Sequence, residues 1–187
     1  MKTTSYKNKL SLLDKLKAKS KREANIFFSL CEKDSEIISA KKFKNILLNS
    51  GLKAKDKRLY NLFQNLDAHG DRIVFEDFIE IIRSSELIVE KALRGELSIP
   101  DFSYFAKNLD NMFDEVKKIK SGELASYIPP LANVDPDQFG VAIVTTDGQI
   151  YQRGDSEVDF SIQSMCKPFN YCFAMEKLGL EKVHQHV

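Results

Sequence analysis

The sequence predicts an α+β chain, an all-helical half followed by the beginning of a mixed α/β domain, and three observations carry that expectation. From Glu23 to about Asn111, apolar residues recur at spacings of three and four, the period of one face of an α-helix. After the prolines Pro129, Pro130 and Pro136 the text becomes FGVAIVTTDGQIYQRGD, in which apolar runs flank the turn signal Asp147-Gly148 as they do in a β-hairpin. A helical pattern then returns from Lys167 to Leu178, just behind Ser164, and stops at Gly179.

Composition sets the frame for these elements. With 187 residues, 43% of them hydrophobic and 29% charged, the chain can bury one or two compact cores. Lys plus Arg number 28 against 27 for Asp plus Glu, so there is no net field to attract nucleic acid, although the first 22 residues hold eight basic side chains and one acid, Asp14. No apolar run approaches the ~18 residues of a membrane span, and no signal-peptide h-region is visible. Cys31, Cys166 and Cys172 are too few and too scattered for a disulfide framework or a Cys-x-x-Cys metal site, which fits a reducing compartment. The expected location is therefore cytoplasmic. The alternative is mitochondrial, because Leu10 and Leu13 among lysines permit an amphipathic targeting helix, although such presequences favour arginine.

The helical half divides at KDSE, NSGLKAKD and DAHGD into short helices joined by brief loops, with the basic lead-in at 1–22 and the helical unit at 23–120. Inside it lies an internal echo. Ile38 precedes Phe43 by five residues, Ile73 precedes Phe78 by five, and the copies are 35 residues apart. That is the arrangement of paired EF-hands, in which the isoleucines would bridge the two loops and the phenylalanines would begin the exiting helices. Calcium is not expected, because an EF-hand loop needs oxygen ligands at fixed intervals, glycine at its sixth position and glutamate at its twelfth. Counting from Asp67, His69 takes the third position, Arg72 the glycine position and Phe78 the glutamate position. CEKDSEIISAKK is poorer still. A helical scaffold that keeps EF-hand packing without the ion is the expectation.

Residues 121–187 begin with Ser121-Gly122 and the proline-rich stretch, pass through the hairpin and reach SIQSMCKPFNY. Residues three apart are neighbours on a helix, so Ser164 and Lys167 can share a face. Pro168 lacks an N–H and is tolerated only in a first turn, which places the helix start within about a residue of Ser164. A serine there is most often an N-cap. The neighbours Met165, Cys166, Phe169, Tyr171 and Phe173 point to a second role, because they predict that Lys167 is buried, and a buried amine tends to lose its proton and can take one from a hydroxyl. Cys166 ranks behind Ser164 as a nucleophile. His184 and His186, two apart, point opposite ways on a helix and are not expected to bind metal.

The run from Ser126 to Val187 resembles the opening of the catalytic domain of glutaminases, which hydrolyse L-glutamine to glutamate and ammonia on a β-lactamase or transpeptidase-like fold. The resemblance rests on Tyr127-Ile-Pro with Leu131-Ala132, Phe139-Gly140-Val141, Asp147-Gly148-Gln149, Gly154-Asp155, Gln163-Ser164, Lys167-Pro168, Leu178-Gly179 and Val183-His184. The helical half resembles the EF-hand-like domain that precedes the catalytic domain in longer members. The resemblance implies that Ser164 is the catalytic nucleophile and Lys167 its base, and that Ser164, Tyr127 and Gln163 contact the substrate, with the Ser164 N–H as one arm of an oxyanion hole. It implies no cofactor, a homo-oligomer built as a dimer of dimers, and anion activation in some members. The family's asparagines, glutamate and further tyrosines lie beyond Val187, so these 187 residues by themselves are expected not to turn over glutamine. Two other functions fit parts of the text. Another Ser-x-x-Lys hydrolase would not be expected to carry Tyr127-Ile-Pro-Pro-Leu or the helical leader, whereas a non-catalytic helical interaction or oligomerisation module is favoured by the missing downstream groups.

Overall fold

The computed structural model describes residues 18–31 and 35–186. Most of the basic lead-in and part of the first loop, residues 32–34, lie outside them, as does the candidate targeting helix. The described residues form two compact units. One takes those up to Lys120 together with Gly140–Gly154, and the other takes Ser121–Phe139 and the residues from Asp155 on.

In the first unit, helices α1 (Ala18–Leu30) and α2 (Ala40–Asn49) flank one loop, and α3 (Tyr60–Ala68) and α4 (Phe75–Ile82) flank the other. The loops meet through two-residue strands, β1 (Ile38–Ser39) and β2 (Arg72–Ile73), paired antiparallel with Ile38 opposite Ile73. Both isoleucines are fully buried. Five residues on, Phe43 and Phe78 sit in α2 and α4 with ring centroids 5.6 Å apart, and Phe27 of α1 reaches Phe78 at 5.5 Å and Phe75 at 5.4 Å. The echo in the sequence is thus the core of an EF-hand pair. Leu47, Leu59, Leu62, Ile82 and Val89 are among the residues that pack with it.

The acidic side chains of the second loop are taken up by protein partners. Asp71 Oδ1 accepts from the Ser39 hydroxyl at 3.0 Å and from the Lys41 N–H at 3.1 Å, and these bonds, the Lys41 N–H foremost, hold its carboxyl below the usual range. Ser39 in turn caps α2 by accepting from the Lys42 N–H at 3.2 Å. Asp67 pairs with Lys44, and Asp77 lies 3.2 Å from His69 Nε2. The Gly70 carbonyl and then Asp77 push the His69 pKa up, which favours the imidazolium.

Helix α5 (Glu86–Arg94) and helix α6 (Phe102–Lys117), the latter capped by Asp101 accepting from the Tyr104 N–H at 3.0 Å, finish the helical part. Buried Glu90 of α5 is held between Arg22 of α1 at 3.1 Å and Arg94 at 2.9 Å, a buried charge that is costly to orphan. The expected hairpin is present as β3 (Gly140–Val144) and β4 (Ile150–Gly154), antiparallel with Ile143 opposite Tyr151, and it packs as part of the helical unit. No helix among the described residues is long and apolar enough to cross a membrane.

Two outcomes are expected. Phe78→Ala should cost about 3–5 kcal/mol in urea denaturation, as large cavities in aromatic cores do, and a loss under about 1 kcal/mol would contradict the central place given to this ring. Excess Ca²⁺ and chelator should give the same melting midpoint. A site filled at a hundred times its Kd would add about 2.7 kcal/mol, which such a comparison would reveal as a shift of several degrees.

Candidate active site

The second unit carries the serine and lysine that the sequence singles out. Its chain enters through a 3₁₀ turn, Pro129–Asn133, and a clasp in which the Asp155 N–H donates to the Phe139 carbonyl at 3.0 Å and the Phe139 N–H donates to Asp155 Oδ2 at 2.9 Å. A second 3₁₀ turn, Gln163–Met165, then runs into α7 (Cys166–Leu178), which ends at Gly179 ahead of the short α8 (Leu180–Val183). Pro168 is the third residue of α7, within the first turn where its missing N–H leaves no helical bond unmade. The α-helix starts one residue before Lys167, and Ser164 lies in the tight turn that leads into it.

That turn is set by an unusual backbone. Gln163 has φ 48°, the one positive φ at a non-glycine position among the described residues, in a region that L side chains rarely enter. Two side-chain bonds hold it there. The Tyr127 hydroxyl donates to Gln163 Oε1 at 2.9 Å, and Gln163 Nε2 donates to the Ser161 hydroxyl at 2.9 Å. Tyr127 and Gln163 are thereby brought together next to Ser164, although Tyr127 is otherwise 72% exposed. Strain of this kind at the residue before a candidate nucleophile is the sort of feature that functional turns retain.

Lys167 departs from expectation. It is exposed, as is Ser164, and among the described residues no hydrogen bond joins the two. The apolar residues that predicted its burial stand in solvent themselves, with Met165 58%, Phe169 58% and Phe173 60% exposed. No residue of α7 is buried, so neighbours that are apolar in sequence do not enclose the lysine in space. Cys166 is a half-buried free thiol beside this turn, and Cys172 is exposed. Among the described residues no group of three or more His, Cys, Asp or Glu is placed to hold a metal ion.

One contact was not legible in the sequence. The Tyr171 hydroxyl of α7 lies 2.6 Å from His184 Nε2, with the rings nearly parallel, so His184, exposed at the end of α8, is also a hydrogen-bonded link to α7. Tyr171 is four residues beyond Lys167 and shares its face of α7. The only available signal was that spacing, and it does not reach to residue 184.

Comparison with known proteins accords with both halves. A family model described as an EF-hand domain matches residues 22–100, and the glutaminase family model matches residues 122–187. The mitochondrial liver isoform of glutaminase from Rattus norvegicus is 32% identical over 168 residues, covering 87% of this chain and 28% of that protein. Glutaminase 2 of Bradyrhizobium diazoefficiens is 48% identical over 75 residues, 40% of this chain and 12% of its own length. The glutaminase of Nostoc sp. is 43% identical over 94 residues, 50% of this chain and 28% of that protein. The chain carries an EF-hand domain ahead of the start of a glutaminase domain, and it is similar to glutaminases over most of its length. It spans less than a third of the length of these relatives.

The role given to Gln163 is open to measurement. Gln163→Val removes both side-chain bonds and places a β-branched residue where φ is positive, so backbone NMR resonances from Ser164 to Cys166 should shift while those of α2 to α4 stay in place. Unmoved resonances at Ser164 would contradict the assignment of this turn to Gln163.

Proposed function

We propose that this chain supplies the helical leader and the nucleophile segment of a glutaminase, which converts L-glutamine and water into L-glutamate and ammonia. The observation that carries it is the turn at Gln163–Met165. It sets Ser164 at the entrance of α7 and Lys167 three residues on, with the Tyr127 hydroxyl bonded to the residue before the serine. Ser164 Oγ attacks the side-chain amide carbon as its proton passes to Lys167, and the tetrahedral intermediate expels ammonia, which leaves with a proton returned to it. Water then attacks the glutamyl ester and frees glutamate and Ser164. The Ser164 N–H supplies one arm of the oxyanion hole, and Tyr127 and Gln163 contact the substrate.

A base role requires a neutral amine, a form that burial favours. The exposed apolar side chains Met165, Phe169 and Phe173 supply the surface that the remainder of a glutaminase domain would cover, and in covering it would take Lys167 out of water. Self-association of copies is part of the same proposal, and Met112, Val116 and Ile119, exposed along the second half of α6 and just beyond it, offer apolar surface for it. A cytoplasmic location is proposed from the composition, with the mitochondrial alternative supported by the name of the rat relative.

The test is kinetic, in a chain carrying these residues together with the rest of a glutaminase domain. Ser164→Ala and Lys167→Ala should each lower kcat by about a thousandfold or more, and the double variant should lose no more than either alone, because groups that act as one unit lose their effect together. Lys167→Arg should fail likewise, since a guanidinium stays protonated. Near-normal turnover in the arginine variant, or turnover by residues 1–187 alone, would overturn the mechanism.

A further inference from the structure

The turn of the β3–β4 hairpin is bound by the helical unit as closely as a ligand. Gln149 is completely buried, a rare state for an uncharged amide unless every polar atom is matched. Its Oε1 accepts from the Ile99 N–H at 2.9 Å, and its Nε2 donates to the carbonyls of Ser50 at 2.9 Å and Ile99 at 2.8 Å. The backbone joins in, because Gln149 pairs with Leu52 in an antiparallel bridge and the Ile150 N–H donates to the Gly51 carbonyl at 2.8 Å. Gly51 has φ 82°, and a Cβ there would lie 2.7 Å from the Phe102 ring. The chain approaches this closely only because residue 51 has no side chain.

Asp147 anchors the other side of the turn. Its Oδ2 accepts from the Ser98 N–H at 2.8 Å and hydroxyl at 2.7 Å, and its Oδ1 lies 3.1 Å from Lys91 Nζ. The Ser98 hydroxyl, then Lys91 and the Ser98 N–H, bring its carboxyl down to about 2, so the anchor is charged at any ordinary pH. Between the two, Gly148 has φ 92°, and a Cβ on it would collide with the Asp56 carboxylate. At the far end of the hairpin, Arg153 bonds the Asp110 carbonyl at 2.7 Å and Asp114 Oδ1 at 2.7 Å, with its guanidinium 4.8 Å from the Phe113 ring centre. Nothing in the sequence pattern marks Gln149 for burial, since a polar residue beside Asp-Gly reads as an exposed turn.

A two-stranded hairpin alone is marginal in water, and here its order comes from these contacts. We propose that the helical unit is a clamp for the β3–β4 hairpin and that Gln149 and Asp147 are positioning residues. They fix the strand that ends at Gly154, from which the chain runs on to Gln163 and Ser164. In place of a calcium switch, the EF-hand pair then serves as a permanent holder of the strand ahead of the nucleophile. The structural part stands without the glutaminase proposal, while the catalytic consequence rests on it.

Hydrogen exchange read by mass spectrometry on the 187-residue chain is the first arm. Gln149→Leu and the milder Asp147→Asn should each lower protection of the β3 and β4 amides by about tenfold or more while α3 and α4 keep theirs. Hairpin protection equal to that of the parent chain in Asp147→Asn would overturn the clamp, even if the leucine variant failed to fold. The second arm uses a chain that carries the rest of a glutaminase domain. There, Asp147→Asn should lower kcat per titrated active site at least about tenfold with KM little changed, as displacement of a reacting group does. Loosened exchange with unchanged kcat would remove the positioning role. Absence of turnover in the parent chain itself would count against the glutaminase proposal and not against the exchange result.

Discussion

The pairing of Ile38 with Ile73 is the constraint on which the rest of the helical unit depends. Two residues of antiparallel backbone tie two loops together, and everything five residues on is placed by that tie, because Phe43 and Phe78 then start their helices facing each other, with Phe27 packed on Phe78. In an EF-hand the loop carboxylates converge on a cation, and without one their charges would repel. Here three aspartates of and beside the second loop have protein partners: Lys44 for Asp67, His69 for Asp77, and the Lys41 N–H and Ser39 hydroxyl for Asp71. Asp71 is the most telling, since it reaches from one loop to the first turn of the helix leaving the other and so reinforces the isoleucine pair.

From this scaffold two glutamines carry the structure toward its chemistry, and their environments are opposite. Gln149 has no exposure and a matched partner for each polar atom of its amide, so it behaves as a fixed joint between the hairpin and the segments at Ser50 and Ile99. Gln163 is only half-buried, yet its backbone is held at positive φ by Tyr127 and Ser161. The first fixes where a strand lies. The second turns the chain sharply ahead of a helix, and in that position Ser164 is exposed and lies near the positive end of the helix.

How much of this was legible follows the range of the interactions. Local patterns were readable: the repeated isoleucine-to-phenylalanine interval, the turn at Asp147-Gly148, the stop at Gly179 and the limit that Pro168 places on the start of α7. Three features were not. The burial expected of Lys167 was inferred from apolar neighbours in sequence, but burial needs a covering surface, and α7 meets mainly its own preceding turn and α8. The Tyr171–His184 bond joins residues 13 apart across a helix break, beyond what periodicity carries. Gln149 is bound by groups 50 and 99 residues away, so its role depends on the fold and has no local signature.

The most direct measurement is of the covalent intermediate itself. A chain that carries these residues with the rest of a glutaminase domain, mixed with isotopically labelled glutamine and quenched in acid within a turnover, should yield one labelled peptide by mass spectrometry. Its glutamyl group should lie on Ser164 as a base-labile ester. Label on Cys166, or steady ammonia release with no acylated peptide at any quench time, would contradict the assignment of Ser164 as nucleophile.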